Sequence, residues 1–192
     1  CSRDFIGCDQ LIYINKSEDN KDKLTFFNSD GSTSGACGNG TRCVAKILSK
    51  EYGKNEINLQ TSSGNLHSLI LNENTVETNI GAATMEWNKI PLQKNLNTED
   101  LRITISDLGG NKFIGGIAVN VGNPHIIFFV ENNKKFNIEK IGPEIEKHEY
   151  FPERCNVTLA TIIDNNLIDV KVWERGAGLT KACGTAACAT AY

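Results

Sequence analysis

Ala36-Cys37-Gly38-Asn39-Gly40-Thr41-Arg42-Cys43 sets a thiol ahead of small, flexible residues, and the helix formers Val44-Ala45-Lys46-Ile47-Leu48 follow. Together they place Cys37 just before the first turn of a helix. The N–H groups there lack intrahelical partners and the helix dipole is positive, so a thiolate or a carboxylate at that point is stabilised. The frame returns 146 residues later, where Ala182-Cys183-Gly184-Thr185-Ala186-Ala187 leads to Cys188. Two helix-start thiols in one chain point to a two-cysteine site.

Working outward from Cys37, Asp9 to Ile14 and Leu24 to Phe27 read as strands, and Ser29-Asp30-Gly31-Ser32 is turn chemistry leading into the helix. That helix should end near Tyr52-Gly53, since Gly suits a helix C-terminus. Alternating strands follow from Asn55 to Thr61, Leu66 to Leu71 and Thr75 to Asn79, and turn signals from Gly81 onward put a domain boundary near residue 83. The second half predicts strands around Ile103, from Phe113 to Val121 and from His125 to Val130, then a helix from an Asn137 N-cap to about His148, interrupted at Gly142-Pro143. A hairpin of Asn156 to Ile162 and Leu167 to Trp173 delivers Glu174-Arg175 into a glycine-bearing loop before Cys183. Asn28 ends a strand nine residues before Cys37, and Glu174 ends one nine residues before Cys183. The expectation is an α+β fold of two pseudo-symmetric domains, residues 1–83 and 84–192, each with strands wrapped around a central helix.

The 192 residues are 40% hydrophobic, ordinary for a globular protein, and the net charge of −3 leaves no basic surface for nucleic acid or anionic lipid. No apolar run approaches the roughly 20 residues that span a bilayer. Cys1-Ser2-Arg3-Asp4 is no signal peptide, and seven cysteines in a chain of this size read as reduced thiols in the cytoplasm. The missing initiator Met, and the stop at Tyr192 shortly after Cys183, lead us to expect a fragment of a longer protein. Oligomeric state stays open, with a homodimer as one expectation.

Inverting a carbon that bears hydrogen needs one group to take the proton from one face and another to supply a proton on the opposite face. Two cysteines suit that task. A thiol titrates at roughly 8.5, and a helix N-terminus lowers it towards neutrality, so thiol and thiolate can coexist in one site. Helix N-termini aimed at the substrate carboxylate would stabilise the developing carbanion, and the scheme requires no cofactor.

Asn28-Ser29-Asp30-Gly31, the Cys37 motif, Gly122-Asn123-Pro124-His125, Pro152-Glu153-Arg154-Cys155-Asn156-Val157, and Trp173-Glu174-Arg175-Gly176-Ala177-Gly178 through Ala182-Cys183-Gly184-Thr185 together resemble the bacterial diaminopimelate epimerases, in their order and spacing. The resemblance implies a cofactor-independent isomerase that interconverts LL- and meso-diaminopimelate in lysine and peptidoglycan biosynthesis. It further implies Cys183 as the base towards the LL form and Cys37 as the acid, with exchanged roles in reverse. Gly38, Asn39, Gly184 and Thr185 match positions whose backbone binds the reacting carboxylate. Gln10, Asn28, Asn123, Asn156, Glu174 and Arg175 match substrate contacts, and His125 and Glu174 match residues that tune the thiols. The family's N-terminal Gly-Asn-Asp-Phe segment is expected to be missing, and Ala36 stands where Gln or Glu is common.

Simpler readings stand beside these. Cys1, Cys8, Cys43, Cys155 and Cys188 read as small buried hydrophobes. Zinc is disfavoured because the two cysteine pairs share no tight ligand spacing, and Gly176-Ala177-Gly178 with Lys181 fits neither nucleotide-binding register. From the residues alone, Asn123-Pro124-His125 is equally a turn, and Asn28 and Asn156 equally end strands. His67 and His148 carry no motif. Competing functions are a proline or hydroxyproline racemase of the same fold, whose first motif carries Cys-Gly-His where this chain has Cys37-Gly38-Asn39, and a non-catalytic protein that binds a diamino acid.

Overall fold

The computed structural model describes residues 7–8, 10–17, 21–35 and 37–192; Cys1, the expected strand start at Asp9, and Ala36 lie outside them. The chain divides into two units at Ala82/Ala83. The first holds strands β1 (Gln10–Asn15), β2 (Lys21–Asn28), β3 (Thr33–Ser34), β4 (Glu56–Thr61), β5 (Gly64–Ile70) and β6 (Val76–Asn79), with helix α1 (Gly38–Tyr52) between β3 and β4. Its sheet runs β1-β2-β4-β5-β6, with β3 folded back on β2 and a parallel pair at β2–β4.

Helix α1 buries Thr41, Val44, Ala45 and Leu48, the three-and-four spacing of one helical face. It ends where Gly53 turns left-handed at φ 64° and donates to Ser49 O. On β2 the alternation directs Asp22, Leu24, Phe26 and Asn28 inward. The two apolar members join Val44, Leu48, Ile57 and Leu59 in the core. The polar members at either end are satisfied by partners: Asp22 accepts from Ser17 N–H and from the Tyr52 hydroxyl at 2.6 Å, while Asn28 bonds Gln10 and Ser32.

The second unit holds β7 (Ile103–Ser106), β8 (Lys112–Gly115), β9 (Ile117–Asn120), β10 (Pro124–Phe129), α2 (Ile138–Glu146), β11 (Asn156–Asp164), β12 (Leu167–Glu174), β13 (Gly178–Thr180) and α3 (Gly184–Ala191). One sheet runs β13-β12-β11-β10-β9, parallel at β10–β11, and β7–β8 is a separate hairpin. Near-continuous burial along β10 and the first six residues of β11 marks strands covered on both faces. Phe113 meets Phe128 edge to face at 6.4 Å, tying the hairpin to this core.

The α+β architecture, with strands packed against a helix in each half, is therefore present, and both halves use one plan: a strand ends in a polar residue, a short strand folds back, and a Cys-Gly helix begins. Two expectations need correction. The strand expected from Phe113 to Val121 is two strands, because Gly116 takes φ 110° and a side chain there would press on Ile126. The expected interruption at Gly142-Pro143 is absent. Helix α2 runs through Pro143, losing one backbone hydrogen bond, and is started by Asn137 Oδ1 accepting from Glu139 and Lys140 N–H.

Tyr52→Phe should leave one Asp22 oxygen buried without its hydroxyl donor. We expect a loss of about 1–2 kcal/mol in a urea unfolding titration, with the far-UV spectrum unchanged.

Candidate active site

Each unit carries one group of the residues singled out from sequence. In the first, Cys37 is the N-cap of α1 in extended backbone, and the first intrahelical bond runs from Thr41 N–H to Cys37 O at 2.9 Å. Helix geometry aims the N–H groups of Gly38 and Asn39 out of the same end. Gly40 leaves room for the end of Ile12: a Cβ there would displace Ile12 Cδ1 and lie 3.0 Å from Cys37 Sγ. Antiparallel pairing sets Gln10 opposite Asn28, and the Gln10 amide donates to Asn28 Oδ1 at 2.8 Å. Asn28 donates in turn to Ser32 Oγ at 3.0 Å, which fixes the turn leading to α1. Arg42 holds the Asn39 side chain at 2.7 Å.

In the second, Cys183 is the N-cap of α3 in extended backbone, and its Sγ lies 3.3 Å from the buried Thr185 hydroxyl. The parallel β10–β11 register sets His125 beside Asn156. Asn156 Nδ2 donates to Pro124 O at 2.9 Å, and its Oδ1 accepts from Arg175 N–H at 2.9 Å. The Arg175 guanidinium donates to Glu153 O at 2.8 Å. Glu174 accepts from the Thr180 hydroxyl across the β12–β13 pair. Asn123, His125, Asn156, Glu174, Arg175, Cys183, Gly184 and Thr185 are thus positioned by one sheet and the helix packed on it.

The electrostatics of Cys183 depart from expectation. A helix N-terminus alone would lower its titration, yet this thiol is pushed up to about 11. Burial is the main cause, the Glu174 carboxylate adds charge repulsion, and hydrogen bonds from Thr185 and Ala186 oppose them only in part. Without a ligand Cys183 is therefore a thiol. His125 is fully buried, and Nε2–H donates to Asn123 Oδ1 at 2.9 Å, leaving Nδ1 without a partner among the described residues. Burial, reinforced by the Arg175 charge, depresses it to about 3, so the ring is neutral.

The remaining cysteines divide. Cys155 is wholly buried with its thiol pushed well up, as a small hydrophobe should be, but Cys43 and Cys188 are exposed and Cys8 is half-buried. Both exposed thiols lie on helices begun by the motif cysteines, on faces turned from the core. Among the described residues no disulfide forms and no His, Cys, Asp or Glu cluster could hold a metal.

The profile of one family, diaminopimelate epimerase, matches residues 1–86 and 117–192. The chain belongs to the diaminopimelate epimerase family. It is 65% identical over 191 residues to the diaminopimelate epimerase of Pelagibacter ubique, covering the whole of this chain and 70% of that protein. The diaminopimelate epimerase of Acidiphilium cryptum is 41% identical across 96% of this chain and 65% of its own length. Among solved structures, a hydroxyproline epimerase from Agrobacterium vitis with bound trans-4-hydroxy-L-proline shares the fold at TM-score 0.64 and 13% identity, over 95% of this chain and 57% of that one. A PhzF-family phenazine biosynthesis protein of Bacillus anthracis does so at 0.58 and 18%, over 97% and 65%. The family's members are isomerases, and both Cys-Gly helix starts of this chain lie inside the matched residues.

Sequence reading placed Ser32 in a turn without a role at the site and assigned nothing to Thr180 or Glu146; these three hold Asn28, Glu174 and the loop after Glu174 respectively. Ser32 and Thr180 lie in the turn and short strand before each Cys-Gly motif, a position that signals them once the repeated plan is known. Glu146 has no local signal.

The neutral His125 gives a pH test. An unfolded imidazole binds a proton near 6.5, whereas the folded one resists until about 3. Its contribution is therefore complete above pH 6.5 and is lost as pH falls towards 3. In urea titrations between pH 7 and 5, His125→Gln should show a flatter decline in stability than the parent protein.

Proposed function

We propose that this protein interconverts LL- and meso-diaminopimelate by passing the α-proton between two cysteines without a cofactor. The observation that carries this reading is the pair of Cys-Gly N-caps, each following a strand that ends in a polar residue, in a chain of this family. Asn39 in place of the histidine of the proline racemase motif favours the diamino acid over the imino acids. A cytoplasmic setting fits the reduced thiols, and no helix of the described residues is long and apolar enough to cross a membrane.

In the LL-to-meso direction the Cys183 thiolate takes the α-proton from carbon. The Cys37 thiol then gives its proton to the opposite face of that carbon, leaving Cys183 as thiol and Cys37 as thiolate. The reverse reaction exchanges the two. N–H groups of Gly38, Asn39, Gly184 and Thr185 hold the reacting carboxylate and stabilise charge as the carbanion develops. Gln10, Asn28, Asn123, Asn156, Glu174 and Arg175 hold the distal amino and carboxylate groups.

The raised Cys183 titration gives Glu174 one role that unites its two assignments. While unbound, its charge adds to burial in holding the neighbouring thiol protonated. A substrate ammonium paired with Glu174 cancels that charge and removes one cause that opposes the thiolate. Deprotonation is thereby tied to occupancy.

In D₂O, the reduced full-length protein should exchange the α-proton of LL-diaminopimelate and generate the meso form with nothing added. Exchange of L-proline or trans-4-hydroxy-L-proline instead would overturn the substrate. Cys37→Ser and Cys183→Ser should each cut turnover roughly 10²–10⁴-fold, and retained turnover in both would sink the two-thiol scheme. Glu174→Gln should shift alkylation of Cys183, followed peptide by peptide by mass spectrometry, to lower pH; an unmoved profile would remove Glu174 as the cause of the raised thiol.

A further inference from the structure

Glu146 closes α2 with only 5% of its surface exposed. A carboxylate there opposes the negative end of the helix dipole and loses its hydration, so donors must compensate it. Two N–H groups do so directly: Oε2 accepts from the Trp173 indole at 2.7 Å, and Oε1 accepts from Gly176 N–H at 3.3 Å. Arg154, held left-handed at φ 61°, brings its guanidinium to 3.7 Å from Oε1. Between the two direct donors in the chain stand only Glu174 and Arg175.

The same face of α2 locates the indole itself. A Cβ at Gly142, one turn before Glu146, would collide with Trp173 Cγ and Cδ2. At the far edge of the ring, Gly178 takes φ 83°, and a Cβ there would lie 3.5 Å from Cη2. Trp173 is thus packed between two glycines, and its one polar atom is spent on Glu146.

We propose that Glu146 is a positioning residue: it grips the Trp173 indole on one side of Glu174-Arg175 and the Gly176 backbone N–H on the other, and so sets these side chains towards the substrate's distal groups. This rests on the reading that Glu174 and Arg175 hold that end of the substrate. Carboxylate chemistry is needed because both partners are donors. A glutamine offers one oxygen and one NH₂, so in either amide orientation a donor faces a donor. Replacing Trp173 by Phe removes one of those donors and with it the conflict.

The test compares Glu146→Gln, Trp173→Phe, the double variant and Arg175→Lys in the full-length protein. Each variant is measured below its own melting transition, by KM and kcat for diaminopimelate and by the indole ¹H–¹⁵N spectrum. The indole signal lost in Trp173→Phe is that of Trp173, which assigns it. Glu146→Gln should move the Trp173 signal upfield and raise KM roughly 10- to 100-fold, the factor for losing a hydrogen bond to a charged group, with a smaller change in kcat. In the Trp173→Phe background the same change should raise KM less than about threefold. A folded Glu146→Gln protein with unchanged KM, alongside a raised KM for Arg175→Lys, would overturn the positioning role and leave the substrate reading standing. Unchanged KM in both variants would overturn that reading, and the role of Glu146 with it.

Discussion

Asn156 uses both ends of its buried amide, and the candidate site residues of the second unit depend on those two hydrogen bonds. Its NH₂ holds the carbonyl of Pro124 at the start of β10, and its oxygen holds the N–H of Arg175 just past the end of β12. A residue at the head of the central strand thereby joins the strands on either side of it. The parallel register then sets His125 beside it, and the antiparallel register sets Trp173 opposite Val157. Leu or Ala at this position would leave the Pro124 carbonyl and the Arg175 N–H without these partners.

Burial and helix polarity compete at Cys183, and burial prevails in the ligand-free state. The helix end supplies donors from Ala186 N–H and the Thr185 hydroxyl, which lower the thiol, while desolvation and the Glu174 carboxylate raise it further than these offset. Helix polarity is a local property of the chain, whereas burial belongs to the folded unit. For the proposed proton transfer a base works best when it titrates near the operating pH, so the raised thiol calls for the lowering that a substrate ammonium at Glu174 would bring.

Legibility in the sequence followed locality. Cys37 and Cys183 were recognisable as helix starts because an N-cap is determined by a few adjacent residues, and Asn28 and Glu174 as strand ends because alternation stops at them. Turn chemistry located both hairpin arms of β11 and β12. Contacts decided by register were not legible: Gln10 meets Asn28 only through the antiparallel pairing of β1 with β2. The break at Gly116 was hidden in an apolar run that reads as one strand, and Pro143 was read as an interruption although a helix can lose one bond and continue. Glu146 was invisible because its two N–H donors lie 27 and 30 residues away.

The parallel pairs have a further consequence, for the order in which the molecule is assembled. Neither β2–β4 nor β10–β11 can be closed by a tight turn; each needs a crossover, one carrying β3 and α1 and the other carrying α2. The chain must lose the entropy of closing these loops before the pairing returns any energy, which makes such contacts slow to form. The Asn156–Pro124 bond belongs to one of these parallel pairs, so it forms only when the central strands of its sheet have met.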